Sequence, residues 1–458
     1  AKDTSIIDAI AFGVAASGST AVGVGLSANV IVNTIQATIS GGSTLDTSSS
    51  LTLTADSSAI IRTLALGVAG SGSTAVQVTA MGNVIVNSVT ATISGTGTDV
   101  HAAGDIVIAA TDIAPSVLTG WNTTSKAIVN TDAAAVNTTN ETIIVSRNPW
   151  QTGDRVKYAN GGGATIGGLV NGETYYVIVD PADSTRIKLS LTDGGAAIDL
   201  TSSGTGTSHT LTTVTAQTDA LSTSLAGSPI DPAANILAVN ISVAASGSVA
   251  VNAAFTGNVI ANTIQAKIED HASVHSTGGK VDLSADSKSG IIGVTVGVAG
   301  SGSVAVNATG FGNVIANSVE ALIEGGSTVT AASLVNISAE DTSSIRSLGI
   351  SVAGSGAVAV GVLFGANVVV DTVTARIDGS NVTSGTSLDV TATSDLDIMA
   401  LSGGVAASGT VGVLVSLTCN VITGFTTAEV VSGSVIDSGG AMTVKATNSS
   451  SIDALAFG

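Results

Sequence analysis

The chain has 458 residues, 44% of them apolar but only 2% aromatic, with 55 glycines against 5 prolines. Collagen is excluded because it needs a strict glycine period and far more proline, and a disordered linker is excluded by the frequency of Val and Ile. Charged residues make up 10% and the formal net charge is −19, so no basic footprint for nucleic acid exists and the acidity most simply keeps a Ser/Thr-rich surface soluble.

The chain opens at Ala1, with neither an initiator Met nor a signal peptide, and reads as a processed product or a window of a longer chain. It enters a repeat almost at once, with "TSIIDAIAFG" at Thr4–Gly13. An Ala/Gly-Ser-Gly step follows at Gly18, and an Asn opens "NVIVN" at Asn29. The glycine marker returns at Gly72, Gly247, Gly302, Gly356 and Gly409, and the Asn marker at Asn83, Asn258, Asn313, Asn367 and Asn420. Each Asn follows its glycine at the same spacing, and the glycine intervals are 54, 175, 55, 54 and 53. Two markers in constant register predict six units of about 54 residues, one of them interrupted by an insertion.

Within a unit, "VAVGVLFGANVVV" alternates in the period of a strand, and no segment shows apolar spacing at helical intervals. Val, Ile and Thr favour a pleated backbone. Glycine in the Ala/Gly-Ser-Gly step is expected to supply dihedrals that other residues avoid. The fold class is therefore all-β, a repetitive β-solenoid. About 54 residues fit two coils of about 27, stacked ~4.8 Å apart. Antiparallel hairpins stacked into a sandwich or prism are the rival layout. With two coils per unit, equivalent Asn residues would lie ~9.6 Å apart. Amide-to-backbone bonding at a corner is then expected rather than a ladder. A second series at Asn33, Asn87, Asn262 and Asn317 is broken by Asp371 and Gly424.

Residues 1–112 carry repeats 1 and 2, and 235–458 carry repeats 3 to 6 with the start of a seventh. "SSIDALAFG" at Ser450–Gly458 matches Thr4–Gly13, so Gly458 takes the place of Gly13. Neither end offers a polar cap, so another unit is expected to stack there, in a longer chain or in a second copy. The insertion, 113–234, has a core at 148–211 of different composition. All three tyrosines and Trp150 fall there, as do Arg155, Lys157, Arg186 and Lys188, with Trp121 nearby and Arg147 at its edge. Strands such as "DRVKYAN" and "ETYYVIVD" separated by Gly, Asn and Pro turns read as a small β-domain projecting from the shaft, with Thr/Ala/Asn-rich stems on either side. Its aromatics either fill a small core or contact a partner, with Trp150, Tyr158 and Tyr175 as the partner-binding candidates.

Chemistry is sparse. His271 and His275 are four apart beside Glu269 and Asp270 and read as a polar turn, since a metal needs three or four convergent ligands. The "GSGST" turns lack the Lys and helix of a phosphate loop. Cys419, the one cysteine, lies in the apolar run "VLVSLTCNVI" and reads as a core thiol. No apolar run is long enough for a membrane helix, and the aromatic girdles of a membrane barrel are missing. The expectation is no enzyme, no catalytic residues, no cofactor, no metal, no nucleic acid and no membrane span.

"GGKVDLSADS" (Gly278–Ser287), "AGDIVIAATD" (Ala103–Asp112) and "SLDVTATSD" (Ser387–Asp395) resemble coils of filamentous-haemagglutinin-type adhesins. "LGISVAGSGAVAVG" followed by "NVVVDTVTARI" resembles repeats of large, leukotoxin-related filamentous adhesins of bacteria. The insert is similar to short modules of giant bacterial surface proteins, through Thr152–Asp154, Val156, Tyr158, Gly168, Leu169, Gly172 and Tyr175 to Ile178. These resemblances imply an extracellular, cell-surface β-helix. The function expected is a structural fibre or stalk built by end-to-end stacking. The alternative is an adhesin that grips a glycan or surface partner through the inserted domain.

Overall fold

The structure, a computed structural model, describes residues 1–118, 125–127, 135–145, 148, 150–181, 183–192, 194–206, 208–215, 225 and 232–458. Strands account for 73% of the described residues. It divides into two compact units, Ala1–Val117 with Ala234–Gly458, and Leu118–Ala233.

In the first unit one circuit of chain runs along Ile6–Ser17, turns at Gly18, and returns along Thr20–Ile39. It then crosses Thr44–Thr47 and Leu51–Ser57 and rises into Ile60–Ser71. Three sheets result. A 12-stranded sheet holds the Ile6–Ser17 and Leu51–Ser57 types, a 7-stranded sheet holds the Thr20–Ile39 type, and a 6-stranded sheet closes the far edge with the Thr44–Thr47 type. Ile6 pairs with Ile60, Thr20 with Thr74, Thr44 with Asp99 and Leu51 with Ile106, all in parallel strands. One circuit therefore consumes the whole interval between successive markers, and the expected pair of half-length coils is corrected. The reason is strand length. Thr20–Ile39 is a single strand of 20 residues, so the chain does not turn where a half-length coil would need a corner. Every pairing in this unit is parallel, which rules out antiparallel hairpins. Long parallel sheets of this kind are those of a β-solenoid or β-helix.

Side chains alternate between the two faces of each strand. Inward positions stack like on like. Ile31, Ile85, Ile260, Ile315 and Val369 form one buried column. Core thickness follows side-chain size. Near the Ala/Gly-Ser-Gly turn the two long sheets meet on alanines alone, including Ala69, Ala75, Ala244 and Ala250. Ile61, Ile236, Ile291 and Ile345 thicken the middle. Val, Ile and Leu such as Val100, Ile108, Val274 and Leu283 fill the end closed by the narrow sheet. Outward positions near the turn are also apolar. Val22, Val24, Phe255, Val362 and Phe364 are exposed on one side, and Phe12, Val68 and Ile241 on the other. Cys419 is exposed as well. Asn420 points inward, so its neighbour must point out, and the expected core thiol is corrected to a surface one.

The second unit is a 7-stranded antiparallel sheet, ordered Ser125–Ala127, Thr210–Thr215, Arg155–Ala159, Thr174–Asp180, Asp183–Ser190, Thr142–Ile144, Val136–Asn137. Residues outside 148–211 thus join its edges, because the outer strands need neighbours to satisfy their backbone groups. Its core is Val156, Tyr158, Tyr175, Val177, Ile187 and Leu211 with Trp150. Trp121 and Arg147 lie outside the described residues.

Candidate functional site

Both repeat markers are stacking devices. A Cβ built on Gly72 would lie 2.1 Å from the carbonyl oxygen of Gly18, and the same clash recurs for Gly247 on Gly72, Gly302 on Gly247 and Gly356 on Gly302. For Gly409 on Gly356 the distance is 2.4 Å. None of these glycines has a positive φ; the glycines that do include Gly41, Gly42, Gly325 and Gly326, at the turn before the narrow sheet. The expected dihedral role is therefore corrected. The marker glycines are required because successive turns lie directly on one another with no room for a side chain.

The first Asn series is a continuous amide ladder. Asn29 donates from Nδ2 to Oδ1 of Asn83 at 2.9 Å, Asn83 to Asn258 at 2.9 Å, and Asn258 to Asn313 at 2.7 Å. Asn313 donates to Asn367 at 2.8 Å, and Asn367 to Asn420 at 2.7 Å. The expectation against a ladder fails because it rested on two coils per unit. With one coil per unit the spacing between equivalents is the ~4.8 Å interstrand distance. The facing sheet supplies further partners. Asn29 also donates to Thr63, Thr63 donates to Asn83, and Asn367 donates to Ser347. A buried amide left without such partners would cost stability.

The second series does bond to backbone. Oδ1 of Asn262 accepts from the Asn87 backbone N–H at 2.9 Å, and Oδ1 of Asn317 accepts from that of Asn262 at 3.3 Å. Their Nδ2 groups reach across to Ser57, Asp112, Ser289 and Asp341 where the broad sheet bends between its two strand types. Burial pushes Asp112 up to about 6 and Asp341 up to about 7, against the hydroxyl and amide donors that hold them. Asp371 takes the Asn place and accepts from Ser394. Gly424 follows it, and a Cβ there would meet an Asp371 carboxylate oxygen at 2.4 Å. The two departures from the series are thus one local solution.

Trp150, Tyr158 and Tyr175 are not surface residues. Their relative exposures are 5%, 0% and 1%. Trp150 donates from Nε1 to Thr213, Tyr158 accepts from the Ile166 N–H and bonds His209, and Tyr175 accepts from the Val170 N–H. The partner-binding assignment is corrected: large rings are the cheapest way to fill so small a core, and each polar tip has a partner inside it. What the unit offers to solvent is an open polar cleft of about 640 Å³ lined by Asn137, Asn140, Glu141, Asp183, Arg186 and Lys188.

No family model, curated protein or solved structure matches the chain.

Proposed function

We propose that the chain is a stretch of an extracellular, cell-surface structural fibre of the filamentous-adhesin kind, a β-solenoid of six stacked units that extends end to end. The supporting observation is the in-register column. Apolar residues repeat from strand to strand in all three sheets, the amides repeat along the 7-stranded sheet and the marker glycines along the turn that leads into it, so a further coil finds matching partners at these positions. Each sheet runs from strands that end no later than Ser57 to strands that begin no earlier than Val411. Its outermost strands present unpaired edges that accept such a coil. Phe457 pairs with Gly403, in the column that begins at Phe12. Joining Gly458 of one copy to Val14 of a second therefore keeps the repeat in phase. That tandem chain should fold as one rod about twice as long when imaged by electron microscopy. Two separate bodies joined by a tether, or an aggregated product, would defeat the reading.

The polar cleft of the second unit favours one further reading, an adhesin that binds a glycan or an anionic surface group there. Arg186 bonds Asp183 at 3.2 Å within the cleft, so a ligand would exchange one carboxylate for another. Glycan-array binding that is lost in Arg186→Ala would support it, and binding unchanged in that variant would exclude the cleft.

A further inference from the structure

The outward face of the narrow sheet carries a cluster that the sequence order conceals. Strand Asp99–Ala102 pairs in parallel with Ser273–Ser276, setting Asp99 beside Ser273 and His101 beside His275. Val100 and Val274 are buried, so Asp99, His101 and His275 share the opposite, solvent-facing side. One ligand atom from each of the three lies within 4.8 Å of the others. Nε2 of His101 is 3.0 Å from Oδ2 of Asp99. The two imidazoles stack with centroids 4.8 Å apart and planes 21° apart. Nε2 of His275 rests 2.7 Å from the Ser273 hydroxyl. His271, read from the sequence together with His275 as a polar turn, is not part of this group. His271 sits in the preceding turn with a φ of 63°.

We propose that Asp99, His101 and His275 form a binding site for a divalent transition-metal ion of the zinc type. Two neutral imidazoles and one carboxylate are a borderline donor set that suits Zn²⁺ and its neighbours rather than Ca²⁺ or Mg²⁺, which prefer all-oxygen shells. Three protein ligands on an exposed face leave a position for water. In a tetrahedral site with Zn–N bonds of ~2.0–2.1 Å, ligand atoms stand ~3.3 Å apart. Both rings are partly exposed, so the adjustment toward that spacing is asked of side-chain rotation. The strands themselves are held on both sides, by Thr44–Thr47 beyond Asp99–Ala102 and by Thr328–Ala331 beyond Ser273–Ser276.

Position in the chain gives the site its role. The column through His101 and His275 continues as Asp46 on one side and as Thr330 and Thr383 on the other, so the paired histidines occur once. They fall on the two narrow-sheet strands that precede and follow the insertion, neighbours in space but far apart in sequence. A bound ion cross-links those strands and closes the long intervening segment, which stabilises the solenoid where its chain is interrupted. This role is separate from the fibre reading.

The test is isothermal titration of the tag-free full chain with ZnCl₂, followed by Co²⁺ as a spectroscopic stand-in. One equivalent should bind, and Co²⁺ should show visible bands with nitrogen ligation. His101→Thr and His275→Thr place in the column the residue it carries elsewhere, so both variants should fold. Each should weaken Zn²⁺ binding by at least about 100-fold, whereas His271→Ala should leave it unchanged. The melting temperature of the parent chain should rise with Zn²⁺ and that of the two Thr variants should not. Absence of saturable binding, equal binding in the Thr variants, or equal competition by Mg²⁺ would each overturn the site.

Discussion

Asn313 donates to Asn367 and accepts from Asn258, and both neighbours are buried. Replacing it with Leu strands a donor on one side and an acceptor on the other, at about 1–3 kcal/mol for each. The expected result is a urea midpoint lowered by the equivalent of about 2–6 kcal/mol with the slope unchanged. Gly302→Ala should be worse, because the contact it creates is with backbone, at 2.1 Å from the Gly247 oxygen. Loss of more than about 4 kcal/mol, or insoluble protein, is expected. A soluble Gly302→Ala chain with the parent's midpoint would show that the turns do not stack as described. The buried acids give a pH dependence. Desolvation raises Asp341 to about 7 and Asp112 to about 6, from an ordinary 3.8. A carboxyl whose pKa is higher in the folded state favours folding while protonated. Its contribution is fully present below about pH 4 and is lost as pH rises through the folded value. Stability should therefore fall between about pH 4 and about pH 7, by an amount on the order of 4 kcal/mol for Asp341. Asp341→Asn should flatten that part of the melting profile. At this scale the sequence reveals which residues matter but not how. The spacing of Gly and Asn is plain, whereas the reason for each depends on the length of a coil, which no single residue carries.

The strands are legible as strands because Val, Ile and Thr alternate, but which face points inward is not. Val22 and Val24 are exposed while Ala21, nearer the turn, is buried. Near the turn the interior takes Ala, Gly, Ser and Asn and the exterior takes Val, Leu and Phe. Hydrophobicity therefore assigns the two faces in reverse there, which is why Cys419 reads as buried. Nor does the sequence display the histidine cluster, because Asp99, His101 and His275 become neighbours only through a pairing that spans the insertion. The aromatics of the second unit stand out in the sequence as unusual, but exposure is not encoded in composition. One connection is now defined well enough to test. Ser57 leads to Ile60 through two residues, and register sets Asp112 level with Ser57, Ile236 level with Ile61 and so Asn235 level with Ile60. Removing 115–234 and joining Ala114 to Asn235 leaves two residues, Ile113 and Ala114, in the place of Ser58 and Ala59. This shortened chain should keep its β-rich far-ultraviolet spectrum and remain soluble. Collapse of the spectrum would mean that the inserted residues are needed for the parallel sheets.

At the scale of the whole molecule the two units have separate cores. Tyr158, Tyr175 and Leu211 close one, and the stacked columns of Val, Ile and Ala form the other. The first belongs to a small antiparallel sheet that, among the described residues, pairs only within itself. The second is quasi-one-dimensional, so its stability accumulates strand by strand through neighbouring interfaces. Cores of such different construction are expected to melt separately, and calorimetry of the full chain should show two transitions. Tyr158→Ala removes a fully buried ring, and with it the partner of His209 and of the Ile166 N–H. That costs about 3–5 kcal/mol by analogy with other aromatic truncations, so one transition should move down by many degrees or vanish. Asn313→Leu should move only the other. The chain lacking 115–234 should retain the transition that Asn313→Leu shifts and lose the one that Tyr158→Ala shifts. A single transition displaced by both substitutions would show that the units melt as one body, and the independence argued from their cores would be wrong.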